Sequence, residues 1–219
     1  MSSRINLANT NLSVFPLCLG TNVFGWSATE EESFEVLDAY YSVGGNFIDT
    51  ADMYSEWKPG NSGGESETII GKWMKSRGNR HEMVIATKVA KLSTRPGLSP
   101  SNIKAALDDS LRRLQTDHID LYYSHEDDET VPLAETLSAY AELIAEGKVH
   151  VIGASNYSGS RLREAAEVSR ANNFPPYIAL QNQYNIMDRE PFESDVAQAI
   201  HDLGISSIPY YGLARGFLT

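Results

Sequence analysis

Disulfide chemistry is ruled out by composition, because the 219-residue chain holds a single cysteine, Cys18. One thiol cannot close an internal bridge, so nothing argues for an oxidising compartment. Cys18 lies in the apolar run VFPLCLG with no cation or histidine beside it in sequence, and it reads as a buried, inert thiol rather than a nucleophile. Long hydrophobic runs are also missing: no apolar stretch approaches the roughly 18 residues of a membrane span. The polar start MSSRINLANT lacks the apolar core of a secretion signal. Positive charge is scarce, with 18 Lys and Arg against 29 Asp and Glu, a net charge of -11. That balance disfavours nucleic acid or an anionic membrane as the main partner, while leaving room for a local basic pocket that holds a phosphate. The expectation is a soluble cytoplasmic protein with no nucleic-acid or membrane partner.

What is present is a rhythm. Hydrophobic residues make up 42% of the chain, enough for one buried core, and the whole of 1–219 reads as a single domain. Short apolar runs at 17–20, 46–49, 83–87, 119–123, 149–154, 178–182 and 204–209 have the continuous character of strands buried on both faces. Amphipathic stretches separate them. Glu30–Ser42 aligns Phe34, Leu37 and Tyr41; Ser66–Lys75 carries Ile69, Ile70 and Trp73. Pro100–Leu114 follows the helix-start signal Ser99-Pro100-Ser101 and aligns Ile103, Leu107, Leu111 and Leu114. Pro132–Glu146, Arg161–Asn172 and Pro191–Leu203 continue the pattern.

Strand–helix alternation of this kind predicts an α/β fold with a parallel sheet. An open doubly wound sheet would place a glycine-rich phosphate turn after its first strand, and LGTNVFG does not fit G-x-G-x-x-G. The (β/α)8 TIM barrel is therefore the expected architecture. Such a barrel spans about 250 residues, whereas this sequence stops after its seventh strand. The eighth strand and following helices are absent from it, and the expectation is either a partial record of a longer protein or a truncated one. Arg4–Pro16, with Asn9, Thr10 and Asn11 at its centre, is expected to form a hairpin closing the barrel floor. WKPGNSGG at 57–64 is a surface loop beside the mouth.

In a parallel barrel the C-terminal strand ends converge on one mouth. Asp49, Tyr54, Lys88 and His125 all fall at or just past such ends, in FIDTADMY, VIATKV and DLYYSH. Each alone has an ordinary structural reading, as a cap, packing group or solvated strand end. Together they make a proton-delivery site. A phenol of ordinary pKa about 10 exchanges protons poorly at neutral pH, and an ammonium close by is expected to lower that value. Lys88 would do this, Asp49 would hold Lys88, and His125 would orient a carbonyl oxygen. Tyr54 would then act as general acid. No side chain supplies a hydride, so a cofactor must. A metal-dependent hydrolase is disfavoured. His125 has no second ligand at a coordinating spacing, and His81, His118, His150 and His201 are scattered along the sequence.

The segments GGNFIDTADMY, VIATKV, HIDLYYSH, EGKVHVIGASNYS and LQNQYN resemble, in order, those of the aldo-keto reductase family. The resemblance runs from about residue 4 to the end of the chain. It implies an NAD(P)H-dependent oxidoreductase reducing aldehydes or ketones to alcohols, with Asp49, Tyr54, Lys88 and His125 as the catalytic set. It implies further that Ser155, Asn156 and Gln181 hold the nicotinamide carboxamide and that Tyr210 stacks on its ring. By the same resemblance Gly212, Leu213 and Arg215 cradle the pyrophosphate, and Gly20, Thr21 and Asn22, with Asp49 beside them, line the ribose side. NADPH is the family default. NADH is not excluded, since the basic residues that grip the 2′-phosphate follow the eighth strand. Trp26 and Trp57, on mouth-side loops, are expected to form an apolar wall of the substrate pocket. The alternative is a cofactor-binding regulatory subunit of the channel-β-subunit type, which keeps the same fold and the same four residues. The small-molecule carbonyl substrate and the oligomeric state stay open at this level.

Overall fold

A computed structural model describes residues 4–219. Its centre is a seven-stranded parallel sheet in sequential order: β3 (Leu19–Gly20), β4 (Phe47–Asp49), β5 (Val84–Val89), β6 (Ile119–Ser124), β7 (Val149–Ser155), β8 (Tyr177–Gln181) and β9 (Ser206–Ser207). Helices α1 (Glu30–Ser42), α2 (Glu65–Arg77), α3 (Pro100–Leu114), α4 (Leu133–Ala145), α5 (Gly159–Asn172) and α6 (Ala197–Leu203) fill the crossovers. The sheet curls as in a (β/α)8 barrel, and its two edge strands are each two residues long.

The helix starts follow local chemistry. Thr29 and Glu32 form a reciprocal capping box on α1, Ser99 caps α3 ahead of Pro100, and Ser158 caps α5. Each such cap contributes about 0.5–2 kcal/mol. One face differs from expectation. In α1 the deeply buried aromatic is Tyr40, not Tyr41, because Tyr40 donates from its hydroxyl to the Leu17 carbonyl at 2.6 Å and accepts from the Phe47 N–H at 3.1 Å. Tyr41 packs at the rim and donates to Glu82. The last helical segment is also irregular: a π turn over Phe192–Val196 precedes α6.

Strand alternation divides the core into two layers. Ile48, Ile85 and Tyr122 point outward beneath the helices. Phe47, Val84, Ala86, Leu121 and Tyr123 point into the curl. The floor of the curl is covered by the hairpin of β1 (Ile5–Asn6) and β2 (Ser13–Val14), whose Leu7 and Val14 join the inner layer. Its turn reaches the far edge of the sheet, where the Ala8 N–H donates to Ser206 Oγ at 2.7 Å.

Two buried carboxylates lie at and just after the loop that follows β4. Glu67 of α2 is fully buried, accepting from Thr87 Oγ1 at 2.6 Å and from Arg113 Nε at 2.6 Å. Asp52 lies nearby, also fully buried, with neither carboxylate oxygen hydrogen-bonded. Burial, and then the Glu67 charge, push its carboxyl up to about 7, against partial relief from Arg113 and Arg95. A folded-state value raised above the unfolded one means the fold favours the protonated acid. That stability is complete at low pH and is lost as pH rises through about 7. Asp52→Asn is therefore expected to melt higher than wild type near pH ~8 and alike near pH ~4, by thermal denaturation at both values. An advantage that does not grow with pH would contradict this reading of Asp52.

Candidate active site

Alternation and register carry the first residues to the mouth. Asp49 ends β4 on the same inward side as Phe47, and Lys88 follows Val84 and Ala86 at two-residue steps on β5. Lys88 has no exposed surface, and its ammonium has three hydrogens to place. Three acceptors meet them: Asp49 Oδ2 at 2.6 Å, the Thr50 carbonyl at 2.7 Å and Tyr54 Oη at 2.8 Å. Asp49 is held on its other oxygen by Gln181 Nε2 at 2.9 Å, so a residue from β8 locks the carboxylate that locks the lysine.

Tyr54 sits in the loop after β4, its ring 4.5 Å from Lys88 Nζ. With Lys88 donating to its oxygen, the phenol proton has one internal acceptor within reach, Asp49 Oδ2 at a long 3.4 Å. The net electrostatic effect corrects the expectation from sequence. Burial, followed by the negative charge and hydrogen bond of Asp49, pushes the Tyr54 phenol well above its ordinary value rather than below it. Lys88 and Asp49 arrive together, so the cation does not act on the phenol alone.

His125 follows β6, and its ring centroid lies 6.0 Å from that of Tyr54. Its backbone is pinned at both ends, N–H to the Val89 carbonyl at 2.8 Å and carbonyl to Asn156 Nδ2 at 2.8 Å. Burial first, then Lys88 and Lys91, hold the imidazole well below its usual range. It is neutral at pH 7, with one N–H and one lone pair. Nδ1 is buried without a partner. The structure thus brings Asp49, Tyr54, Lys88 and His125 to one end of the sheet.

The residues expected around a cofactor are placed unevenly. Ser155 ends β7, Gln181 ends β8, and Asn156 takes a left-handed backbone (φ 58°) between them. The Asn156 amide is already engaged at both ends, donating to His125 and accepting from the Tyr210 hydroxyl at 2.7 Å. Gly212, Leu213 and Arg215 are on the exposed segment after β9, where Arg215 lies 4.6 Å over the Tyr211 ring. Gly20 is exposed and Asn22 half-buried. Thr21 is fully buried, and its hydroxyl donates to the Asp49 carbonyl at 2.8 Å beside Ser66. Its side chain braces β4.

Trp26 and Trp57 are both half exposed and meet edge to face at 5.6 Å, with Tyr54 6.3 Å from Trp57. One mouth residue escaped the sequence reasoning. Tyr123 pairs with Lys88 across the β5–β6 ladder, and its hydroxyl is buried without a partner. Its inward position follows from two-residue alternation within DLYYSH. Gly153 makes room for it, since a Cβ there would collide with the Tyr123 ring.

With this geometry, the comparisons with known proteins are specific. Residues 16–219 match the aldo/keto reductase family. The chain belongs to that family. It is 38% identical to the uncharacterized oxidoreductase YrpG of Bacillus subtilis, over 97% of this chain and 67% of that protein. It is 34% identical to norsolorinic acid reductase B of Aspergillus parasiticus, over 94% of this chain and 56% of that protein. It is 32% identical to an aryl-alcohol dehydrogenase [NADP(+)] of Phanerodontia chrysosporium, over 94% and 57%. The chain therefore spans little more than half the length of these fungal members of the family.

The Lys88–Asp49 pair predicts a stability signature. Lys88→Met strands a buried carboxylate, at a cost of about 3–5 kcal/mol. Urea denaturation should show this loss, and Asp49→Asn added to Lys88→Met should recover much of it. A single-variant loss below about 1 kcal/mol, the range of exposed pairs, would contradict the burial of this ion pair.

Proposed function

We propose that this protein reduces the carbonyl group of aldehydes or ketones to alcohols with a nicotinamide cofactor, NADPH by preference, and that Tyr54 is the general acid. The single observation that carries the proposal is the Lys88–Tyr54–Asp49 cluster. A buried lysine spends all three hydrogens on fixed acceptors, and one of them is a phenol whose own proton lacks a short internal acceptor.

The donor set at the mouth suits the cofactor. Hydroxyl, amide and aromatic groups at the ends of β7, β8 and β9 suit a carboxamide and a flat ring, and Arg215 on the following segment makes no ion pair among the described residues. Ser155, Asn156, Gln181 and Tyr210 would hold the nicotinamide, with Gly212, Leu213 and Arg215 on the pyrophosphate and Gly20 and Asn22 on the ribose side. When bound, the nicotinamide would supply hydride to the carbonyl carbon.

The chain's own groups account for the other half of the reaction. The raised phenol keeps Tyr54 protonated at neutral pH, ready for a strongly basic oxygen. Neutral His125 would donate one N–H to the carbonyl oxygen and orient it without competing as an acid. As the carbon gains hydride, the oxygen would take the Tyr54 proton. Lys88, 2.8 Å away, would then stabilise the phenolate left behind until solvent returns the proton. Tyr54→Phe is expected to lower NADPH-dependent reduction by about 10²–10⁴-fold while cofactor binding, read by fluorescence titration, stays within about threefold, the margin left by a lost hydroxyl outside the cofactor contacts. Turnover at the wild-type rate would overturn the acid assignment. Wild-type protein that binds NADPH but oxidises none with a panel of carbonyls would favour the regulatory-subunit reading.

Aromatic carbonyl compounds are the proposed substrate class. The support is the Trp26–Trp57 corner beside Tyr54, together with a relative named as an aryl-alcohol dehydrogenase. Removing one ring by Trp57→Ala should raise KM for an aryl aldehyde by about 2–10-fold with little change for a small aliphatic aldehyde. An equal effect on both would place Trp57 outside the substrate wall.

A further inference from the structure

Two histidines 32 positions apart in sequence meet at the opposite end of the sheet from the candidate active site. His118 precedes β6, Asp120 is the second residue of β6, and His150 is the second residue of β7. The strands run in register there, Ile119 beside Val149 and Leu121 beside Val151. The two imidazoles stack with centroids 4.6 Å apart and planes 25° from parallel. Asp120 Oδ1 lies 3.4 Å from His150 Nδ1 and 3.9 Å from His118 Nε2, and each of the three residues offers a ligand atom within 4.8 Å of one from each of the others.

We propose that His118 Nε2, His150 Nδ1 and Asp120 Oδ1 form a binding site for a divalent transition ion of the zinc class at the barrel floor. Zinc takes His nitrogen and Asp oxygen at about 2.0–2.2 Å, so the ligand atoms of a tetrahedral site stand about 3.3 Å apart. One of the three separations is already near that value, and exposed His150 is free to close another.

The surroundings favour coordination over a plain charge cluster. His118 Nδ1 is 2.7 Å from Asp117 Oδ1, a contact that puts the ring proton on Nδ1 and leaves the Nε2 lone pair facing Asp120. A carboxylate behind a metal-binding imidazole is the usual device for fixing its tautomer and raising its basicity. Asp120 is oriented in the same way. Its Oδ2 accepts from Arg80 at 2.9 Å and from the Ile85 N–H at 2.8 Å, which leaves Oδ1 to face the imidazoles. Arg80 is itself pinned on Thr116 Oγ1 and on the Met83 and His118 carbonyls. The guanidinium balances the carboxylate, so the site suits a borderline nitrogen-seeking ion over Ca²⁺ or Mg²⁺, which need several oxygens. The ion would clamp the starts of β6 and β7 without touching substrate.

The test uses untagged full chain and Zn²⁺ alone, by calorimetry and thermal shift, with Co²⁺ as a spectroscopic probe of geometry. Wild type should bind one Zn²⁺, melt at higher temperature with it, and give the strong visible absorption of tetrahedral Co²⁺. His118→Ala and His150→Ala should each lose the thermal shift and the cobalt bands. Asp117→Asn should weaken Zn²⁺ binding by about 10-fold or more while leaving the ligand set in place. Absence of saturable binding by wild type would overturn the site. So would binding that survives both histidine substitutions.

Discussion

A lysine without exposed surface is tolerated only when every hydrogen of its ammonium is met, and the mouth of this barrel is organised around that requirement. Lys88 needs Asp49 for charge, the Thr50 carbonyl for geometry and Tyr54 for its third hydrogen. Asp49 in turn needs Gln181, and its carbonyl takes the Thr21 hydroxyl. One buried cation thus sets the position of groups on β4, β5, β8 and the loops after β3 and β4. The arrangement costs stability in isolation, since a desolvated pair seldom outperforms apolar packing. What it holds is a phenol beside a cation at a strand end.

The scaffold achieves this by repetition. Parallel strands one after another place equivalent positions side by side, so Asp49, Lys88 and Tyr123 come from neighbouring strands without any long-range search by the chain. Residues two positions back, Phe47 and Ala86, face the same interior and are packed from below by Leu7 and Val14 of the hairpin. The rigid inner layer gives the polar layer above it a fixed base. Behind the loop that carries Tyr54, buried Glu67 of α2 ties Thr87 of β5 to Arg113 of α3.

Much of this was legible in the sequence because it rests on period-two alternation and on strand ends. Apolar runs located all seven strands of the sheet, and the Ser99-Pro100 signal located the start of α3. The four polar strand-end residues met as expected. What was not legible depends on direction and on partners across the fold. Tyr40 and Tyr41 have the same chemistry, and the backbone partners at Leu17 and Phe47 distinguish the one that is buried. The Thr21 hydroxyl turns to the Asp49 carbonyl, a partner 28 positions away that local pattern does not announce. The rise of the Tyr54 phenol could not be read from the presence of Lys88, since the burial and the Asp49 charge that outweigh it are properties of the folded mouth. His118 and His150 are far apart in sequence and adjacent across one ladder, so linear spacing concealed them.

The central claim is that burial and Asp49 hold Tyr54 as a neutral phenol against the pull of Lys88. NMR titration of protein carrying ¹³Cζ-labelled tyrosine tests it directly, with the Tyr54 resonance assigned by its loss in a Tyr54→Phe sample. The account predicts that this resonance keeps its phenol shift beyond the ordinary tyrosine midpoint of about 10, as long as the protein stays folded. Ionisation of Tyr54 in folded protein clearly below that midpoint would contradict it.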